Sequence, residues 1–270
     1  MKVNIQQKLA LALCSILFCS SLVAHSADST FMNGLSRIFY KVKGHGRPAV
    51  VFVSGMAHDH KTWEAIQDSL SGVTTTLSYD RAGLGQSEYH GEKKDLKTLA
   101  MELDQVIRHA KIHAPFILVG HSLGCQIIKK YAATHAANLK GCVLIDPGYN
   151  EDSLKAIISD SLWIEREAAI KKYQVQFNPA QQAEDDNRKA IDIETDAITD
   201  VFRFPIVFFT ATMVTEFPAS AEEQRVKMQA HLAWLRKMPR AQHILVNTSW
   251  HYIHVDEPQL VINAIESLLK

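Results

Sequence analysis

Ser122 stands between two glycines in "VGHSLG", where an apolar run ends and an amphipathic helical pattern begins. A serine hydroxyl is a poor nucleophile until a neighbouring base takes its proton. A strand-turn-helix junction of the form G-x-S-x-G lifts such a hydroxyl above the sheet and aims the first helix amides at the oxygen that becomes charged. Gly120 and Gly124 suit a tight turn with no room for side chains beside it. Near the far end of the chain, "SWHYIHVDEPQLV" supplies His251 and His254. His251 follows an expected strand by a few residues, in a loop on the same C-terminal sheet edge as Ser122, where the loops of such sheets converge. That places a base within reach of the serine. His254, three positions on, reads as structural.

These residues need a scaffold, and the chain alternates to provide one. "RIFYKVKG", "AVVFVSG", "TTTLSYD", "FILVG" and "GCVLID" read as successive strands. The continuous apolar run in "AVVFVSG" implies burial on both faces. Helical patterns separate them: "HKTWEAIQDSL", the segment after Ser122, and "DLKTLAMELDQVIRHAKI", whose Leu96, Leu99, Leu103 and Ile107 form one stripe. Strands alternating with helices through short connections predict an α/β fold with a doubly wound, mostly parallel sheet. Residues 150–200 break the alternation with charged helical segments and no convincing strand, which is economical as an inserted helical cap. Strand periodicity returns at "FPIVFFTAT" and "HILVNTS", with helices expected over about 220–236 and in "EPQLVINAIESLL". The expected organisation is a signal segment over residues 1–26 and one domain over 27–270, with its cap at about 150–200.

With these motifs in place, the chain resembles the α/β-hydrolase fold family over nearly all of residues 27–270. "VGHSLG" is similar to that family's nucleophile elbow. The resemblance implies Ser122 as nucleophile, Leu123 as one oxyanion-hole amide, and His251, which precedes an aromatic residue, as the base. "VFVSGM" resembles the loop that supplies the second amide, here from Met56, with Ser54-Gly55 where many members carry His-Gly. The third member of a triad orients the imidazole and stabilises the imidazolium. The family usually places it after the strand that follows the cap. In "IVFFTATMVTEFPA" that stretch has no aspartate and one early carboxylate, Glu216. The other placement ends the preceding strand, where "VLIDPG" puts Asp146. Asp146 is favoured, with Glu216 as the alternative acid.

Other residues carry less. Asp80 and Arg81 in "YDRAGLGQS" read as a loop held by local hydrogen bonds and an ion pair. His58 and His60, in "HDH", lack the further ligands a hydrolytic zinc site needs, so no metal and no cofactor is expected. Trp163, Phe177 and Phe208 are candidates for an apolar acyl pocket, with core packing the plainer reading of each. Cys125 and Cys142 are expected at opposite ends of the sheet, beyond the roughly 7 Å that a disulfide spans. Both read as buried free thiols.

Composition narrows the partners. The 270 residues hold 29 basic and 29 acidic side chains, and this neutrality argues against nucleic acid, whose binding needs a basic surface. Lys2 and Lys8 precede "LALALCSILFCSSLVA", which ends in the small residues of "AHSADS". This is the order of a secretory signal peptide, with cleavage expected after Ser26 and with it the loss of Cys14 and Cys19. The apolar stretch is shorter than the roughly 20 residues that span a bilayer, so no stable membrane anchor is expected. The reading is therefore an exported, periplasmic or secreted serine hydrolase acting on a small-molecule carboxylic ester or related acyl compound. A peptidase, lactonase or acyltransferase using the same triad is the alternative within enzymes. A non-catalytic binding protein of the same fold is the alternative outside them.

Overall fold

The computed structural model describes residues 26–270. The signal-peptide reading, with Cys14 and Cys19, falls on residues outside that range. The described chain opens with a hairpin: β1 (Ser26–Asn33) pairs antiparallel with β2 (Ser36–Lys43). β1 has no counterpart among the expected strands, because "SADSTFMN" shows no clean alternation of apolar and polar residues. Its signal lies in Gly34, the first of the two turn residues Gly34-Leu35, which takes the positive φ of 62° that a glycine-first hairpin turn requires.

From there strands and helices alternate. β3 (Val50–Val53) leads through a short 3-10 turn (His60–Trp63) into α1 (Glu64–Leu70) and β4 (Thr76–Tyr79). α2 (Leu96–His109) starts where Asp95 accepts the Thr98 amide at 2.7 Å, a side-chain cap for an otherwise unpaired helix donor. β5 (Phe116–His121), α3 (Leu123–His135) and β6 (Leu139–Ile145) follow. Four helices then intervene: α4 (Asp152–Lys155), α5 (Asp160–Gln174), α6 (Pro179–Asp186) and α7 (Arg188–Asp196). β7 (Ile206–Ala211), α8 (Ser220–Leu235), β8 (Ala241–Val246), α9 (Ile253–Asp256) and α10 (Pro258–Leu269) complete the chain.

The eight strands form one sheet in the order β1-β2-β4-β3-β5-β6-β7-β8. Only the β1–β2 and β2–β4 pairs are antiparallel. β3 through β8 run parallel, so every C-terminal strand end in that set opens onto the same edge. Successive side chains of a strand face opposite ways, and here both faces are covered. Val51 and Val53 pack with the α2 stripe of Leu96, Leu99, Leu103 and Ile107. Val50 and Phe52 pack with Trp63, Ile66 of α1 and Ile265 of α10. Two apolar layers thus clamp the sheet, and the continuous apolar run of β3 is the consequence. This is the doubly wound, mostly parallel α/β architecture expected from the alternation.

Candidate active site

Ser122 occupies the bend between β5 and α3. β5 ends at His121 and α3 begins at Leu123, which leaves the serine alone at φ 51°, ψ −117°. Positive φ in a residue with a Cβ costs of order 1–3 kcal/mol and persists only where the surroundings impose it. The glycines are what impose it. A Cβ on Gly124 would sit 2.1 Å from the Val53 carbonyl oxygen, and one on Gly120 would sit 2.6 Å from Ile128. Helix α3 can approach β3 and double back this closely only with both positions bare. Cys125 steadies the bend from below, its thiol donating to the Gly120 carbonyl at 3.0 Å. Burial pushes that thiol well up from its ordinary pKa, so it stays a neutral donor. Cys125 and Cys142 are both buried and free.

His251 lies in the loop between β8 and α9, and three contacts fix that loop. Its Nδ1 donates to Asp146 Oδ2 at 2.6 Å. Its carbonyl accepts from His121 Nε2 at 3.1 Å. The preceding carbonyl, of Trp250, accepts from Lys227 Nζ at 3.5 Å. His121 is fully buried, and burial followed by the neighbouring His254 and His251 holds its pKa well below the usual histidine range. It is therefore a neutral ring that can hold one proton on the nitrogen facing His251. His121 is absent from the candidates read off the sequence, although its place beside Ser122 at the end of β5 is a signal for it.

Asp146 follows β6 directly, with a positive φ of 43° and no solvent exposure. Oδ1 accepts the Ala211 amide at 2.9 Å, and Oδ2 takes both His251 Nδ1 and the Lys227 ammonium, the latter at 3.0 Å. Burial works against ionisation here. The His251 hydrogen bond and the Lys227 charge outweigh it and hold the carboxyl below the ordinary aspartate range. Glu216, by contrast, is exposed in the loop after β7. The structure brings Asp146 to His251 and leaves Glu216 apart.

A cavity of about 540 Å³ opens over this edge and is lined by Ser122, His251, Met56 and Leu123 among others. Its opposite wall comes from the segment between β6 and β7, including Arg166 of α5, Phe177 in the loop after it, and Arg188 and Asp192 of α7. Of the three aromatic candidates only Phe177 lines it. Phe208 is buried in the core against Trp234, and Trp163 packs under Lys155 instead.

The loop that carries Met56 is braced more elaborately than expected. Arg81 does not pair locally with Asp80. Its guanidinium donates to the Ser54 and Gly55 carbonyls, each at 2.7 Å, and to Glu184 of α6 at 2.7 and 3.0 Å. Glu184 in turn accepts the Ala57 amide at 2.9 Å. One fully buried ion pair therefore holds both ends of the Ser54–Ala57 turn, and Ala57 keeps a positive φ of 61°. Burial opposes the charge on Glu184, but Arg81 prevails and lowers its pKa. The Ser54 hydroxyl fastens the same turn to the residues that follow, donating to the Asp59 carbonyl and accepting from Trp63 Nε1, both at 3.0 Å.

The remaining histidines of this region each make at least one hydrogen bond, although His254 Nδ1 is buried without a partner. His254 is buried against Trp63 and shares a 2.9 Å bond with Thr62 Oγ1, and burial pushes its pKa down to about 3. His58 Nδ1 donates to the Met56 carbonyl at 2.8 Å. Asp59, His60 and Asp80 come close enough to suggest a cation site. Several of their polar atoms are already engaged: Asp80 Oδ1 accepts both the amide and Nδ1 of His60, at 2.7 and 2.8 Å, Asp80 Oδ2 accepts the Gln86 amide, and Asp59 Oδ1 accepts the Lys61 amide. These groups fasten the turn after β3 to the end of β4.

Comparison with known proteins places this architecture. The family description "alpha/beta hydrolase fold" matches residues 48–172. A Bacillus subtilis protein, the uncharacterized YqjL, is 24% identical over 83% of this chain and 84% of its own length. A Haemophilus influenzae protein named "Putative esterase/lipase" is 23% identical over 86% of each chain. A thermophilic esterase from Thermogutta terrifontis superposes with a TM-score of 0.64 at 16% identity, covering 92% of this chain and all of that one. At that identity the superposition speaks to the fold alone.

Proposed function

We propose that this chain, an α/β hydrolase by fold and by family match, is a serine hydrolase that cleaves a carboxylic ester or related acyl compound through an acyl-enzyme. One observation carries the reading. The strained Ser122 shares a cavity with a histidine whose other ring nitrogen is tied to a buried carboxylate at 2.6 Å.

The chemistry follows from that arrangement. His251 accepts the Ser122 proton on Nε2 as the serine oxygen attacks the substrate carbonyl. The electron pair of the C=O bond moves onto the oxygen, between the amides of Met56 and Leu123. Asp146 stabilises the imidazolium and keeps Nδ1–H directed away from the serine. When the tetrahedral intermediate collapses, His251 returns its proton to the leaving alkoxide. Water then enters, gives a proton to His251 and attacks the acyl carbon, and the serine leaves with that proton restored. The relative named "Putative esterase/lipase" supports ester substrates over other acyl compounds. Export to the periplasm or beyond is part of the proposal and rests on the N-terminal sequence pattern.

Short p-nitrophenyl esters test the reading. The parent should hydrolyse them, and Ser122→Ala should lower kcat by several orders of magnitude. Equal turnover by the two proteins would dismiss Ser122 as the nucleophile.

A further inference from the structure

The cavity over Ser122 is rich in charge, and its pairing is uneven. Arg166 donates to Glu151 at 3.2 Å and to Glu223 at 3.0 Å. Arg188 lies 2.7 Å from Glu151 and 3.7 Å from Asp185. Lys227 is taken by Asp146. Among the described residues, each Lys or Arg that lines the cavity thus already holds a carboxylate of this chain, so an acidic substrate meets no free one of them there.

Asp192 is the exception among the acids. Among the described residues it is the one carboxylate lining the cavity without a cationic partner. It is only 5% exposed, and its Oδ1 accepts only the Gln126 side-chain amide, at 2.7 Å. Arg188, one turn earlier on α7, is committed to Glu151 and Asp185 instead. A desolvated carboxylate without a counter-charge is costly for a protein to keep. Burial accordingly raises its pKa to about 7, with Glu151 and Asp196 adding to the effect and Gln126 and Arg188 opposing it.

The position of this carboxylate is set by the elbow helix. Gln126 is four residues beyond Ser122, one turn along α3, and thus about 5.4 Å farther on along the same side of the helix. Asp192 reaches that amide from the facing helix.

We infer that Asp192, oriented by Gln126, is a subsite for a cationic group on the acyl chain of the substrate, an ammonium or similar donor roughly one helical turn from the scissile carbonyl. The inference rests on the serine-hydrolase reading above and specifies its substrate class. A bound cation supplies the counter-charge that the chain itself withholds, and charge-assisted hydrogen bonds of this kind are the strong ones.

The test uses two p-nitrophenyl esters of matched size, 6-aminohexanoate and heptanoate. The parent is expected to favour the ammonium ester in kcat/KM by at least about tenfold, the worth of one charge-assisted hydrogen bond. Asp192→Asn should remove most of that ratio, and Asp192→Glu should retain part of it. The ratio within each variant is insensitive to how much of the protein is folded. A parent with no preference, or a preference unchanged in Asp192→Asn, would overturn the subsite. Failure of the parent to hydrolyse either ester, together with inertness of Ser122 to a fluorophosphonate, would strike the serine-hydrolase reading instead.

Discussion

His251 Nδ1 and Asp146 Oδ2 meet at 2.6 Å, joining the loop after β8 to the end of β6 across the intervening strand β7. The loop after β7 itself offers only the exposed Glu216. The same Asp146 oxygen also holds Lys227 of α8, the helix that follows β7. The chain therefore fills the space beyond β7 with a cation that anchors the acid, and takes the acid from the neighbouring strand.

Separate amide substitutions should divide the two carboxylates cleanly. Asp146→Asn should lower kcat by about four orders of magnitude, the effect of losing the orienting carboxylate in a serine triad. Glu216→Gln should leave kcat within about twofold, as surface substitutions away from a site usually do. Steady-state rates on one activated ester decide between them. The reverse pattern would move the acid to the loop after β7.

How far this arrangement is legible in the residues alone depends on distance along the chain. Ser122 is legible because sterics confine the glycines on either side of it, and the strand and helix flanking it carry their own periodicities. His251 is legible from its place after an expected strand. The choice between Asp146 and Glu216 is not, since it turns on which strand ends lie next to the histidine loop. Arg81 and Glu184 are further out of reach. They stand 103 residues apart, and Glu184 sits among the acids of "QAEDDN" with nothing to single it out. Arg81 looks local because Asp80 directly precedes it, whereas the buried guanidinium finds its carboxylate in α6.

That ion pair yields a second expectation. Glu184→Gln leaves a fully buried guanidinium without its counter-charge and weakens the hold on the Ala57 amide. Breaking one partner of a buried pair costs about 3–5 kcal/mol. Urea unfolding should register a loss of that order. Because the affected turn carries Met56, kcat should fall along with stability. A variant as stable as the parent would show that the pair does not brace the turn.

Asp192 should also be visible in the pH dependence of stability. Its folded pKa is about 7, against about 3.9 for an unfolded aspartate. Between those values the native state holds more protons than the unfolded state, so this group's contribution to stability falls as pH rises. Asp192→Asn abolishes that contribution, and the decline in unfolding free energy across the interval from about pH 4 to about pH 7 should become shallower. Glu102, which burial likewise pushes to about 7, keeps a slope of the same sign in the variant. An unchanged slope would mean that Asp192 ionises as an ordinary aspartate.

Lys227 offers a further handle. Asp146 has a depressed folded pKa, so the stability it contributes is present above about pH 4 and is lost as pH falls through the folded value. Lys227→Met removes one of the interactions that depress it. The acid unfolding transition of the variant should begin at higher pH than that of the parent. Circular dichroism across an acid titration from about pH 5 to about pH 2 measures the difference, and coincident transitions would assign Lys227 no hold on Asp146.

His251 makes Ser122 a nucleophile in this scheme, and covalent labelling reads that activation without any assumption about substrate. A fluorophosphonate incubated with the folded protein, followed by peptide mass mapping, should give one adduct, on Ser122, with a labelling rate that falls by orders of magnitude in His251→Ala. No adduct on Ser122, or equally fast labelling in the His251→Ala variant, would mean that His251 does not activate Ser122.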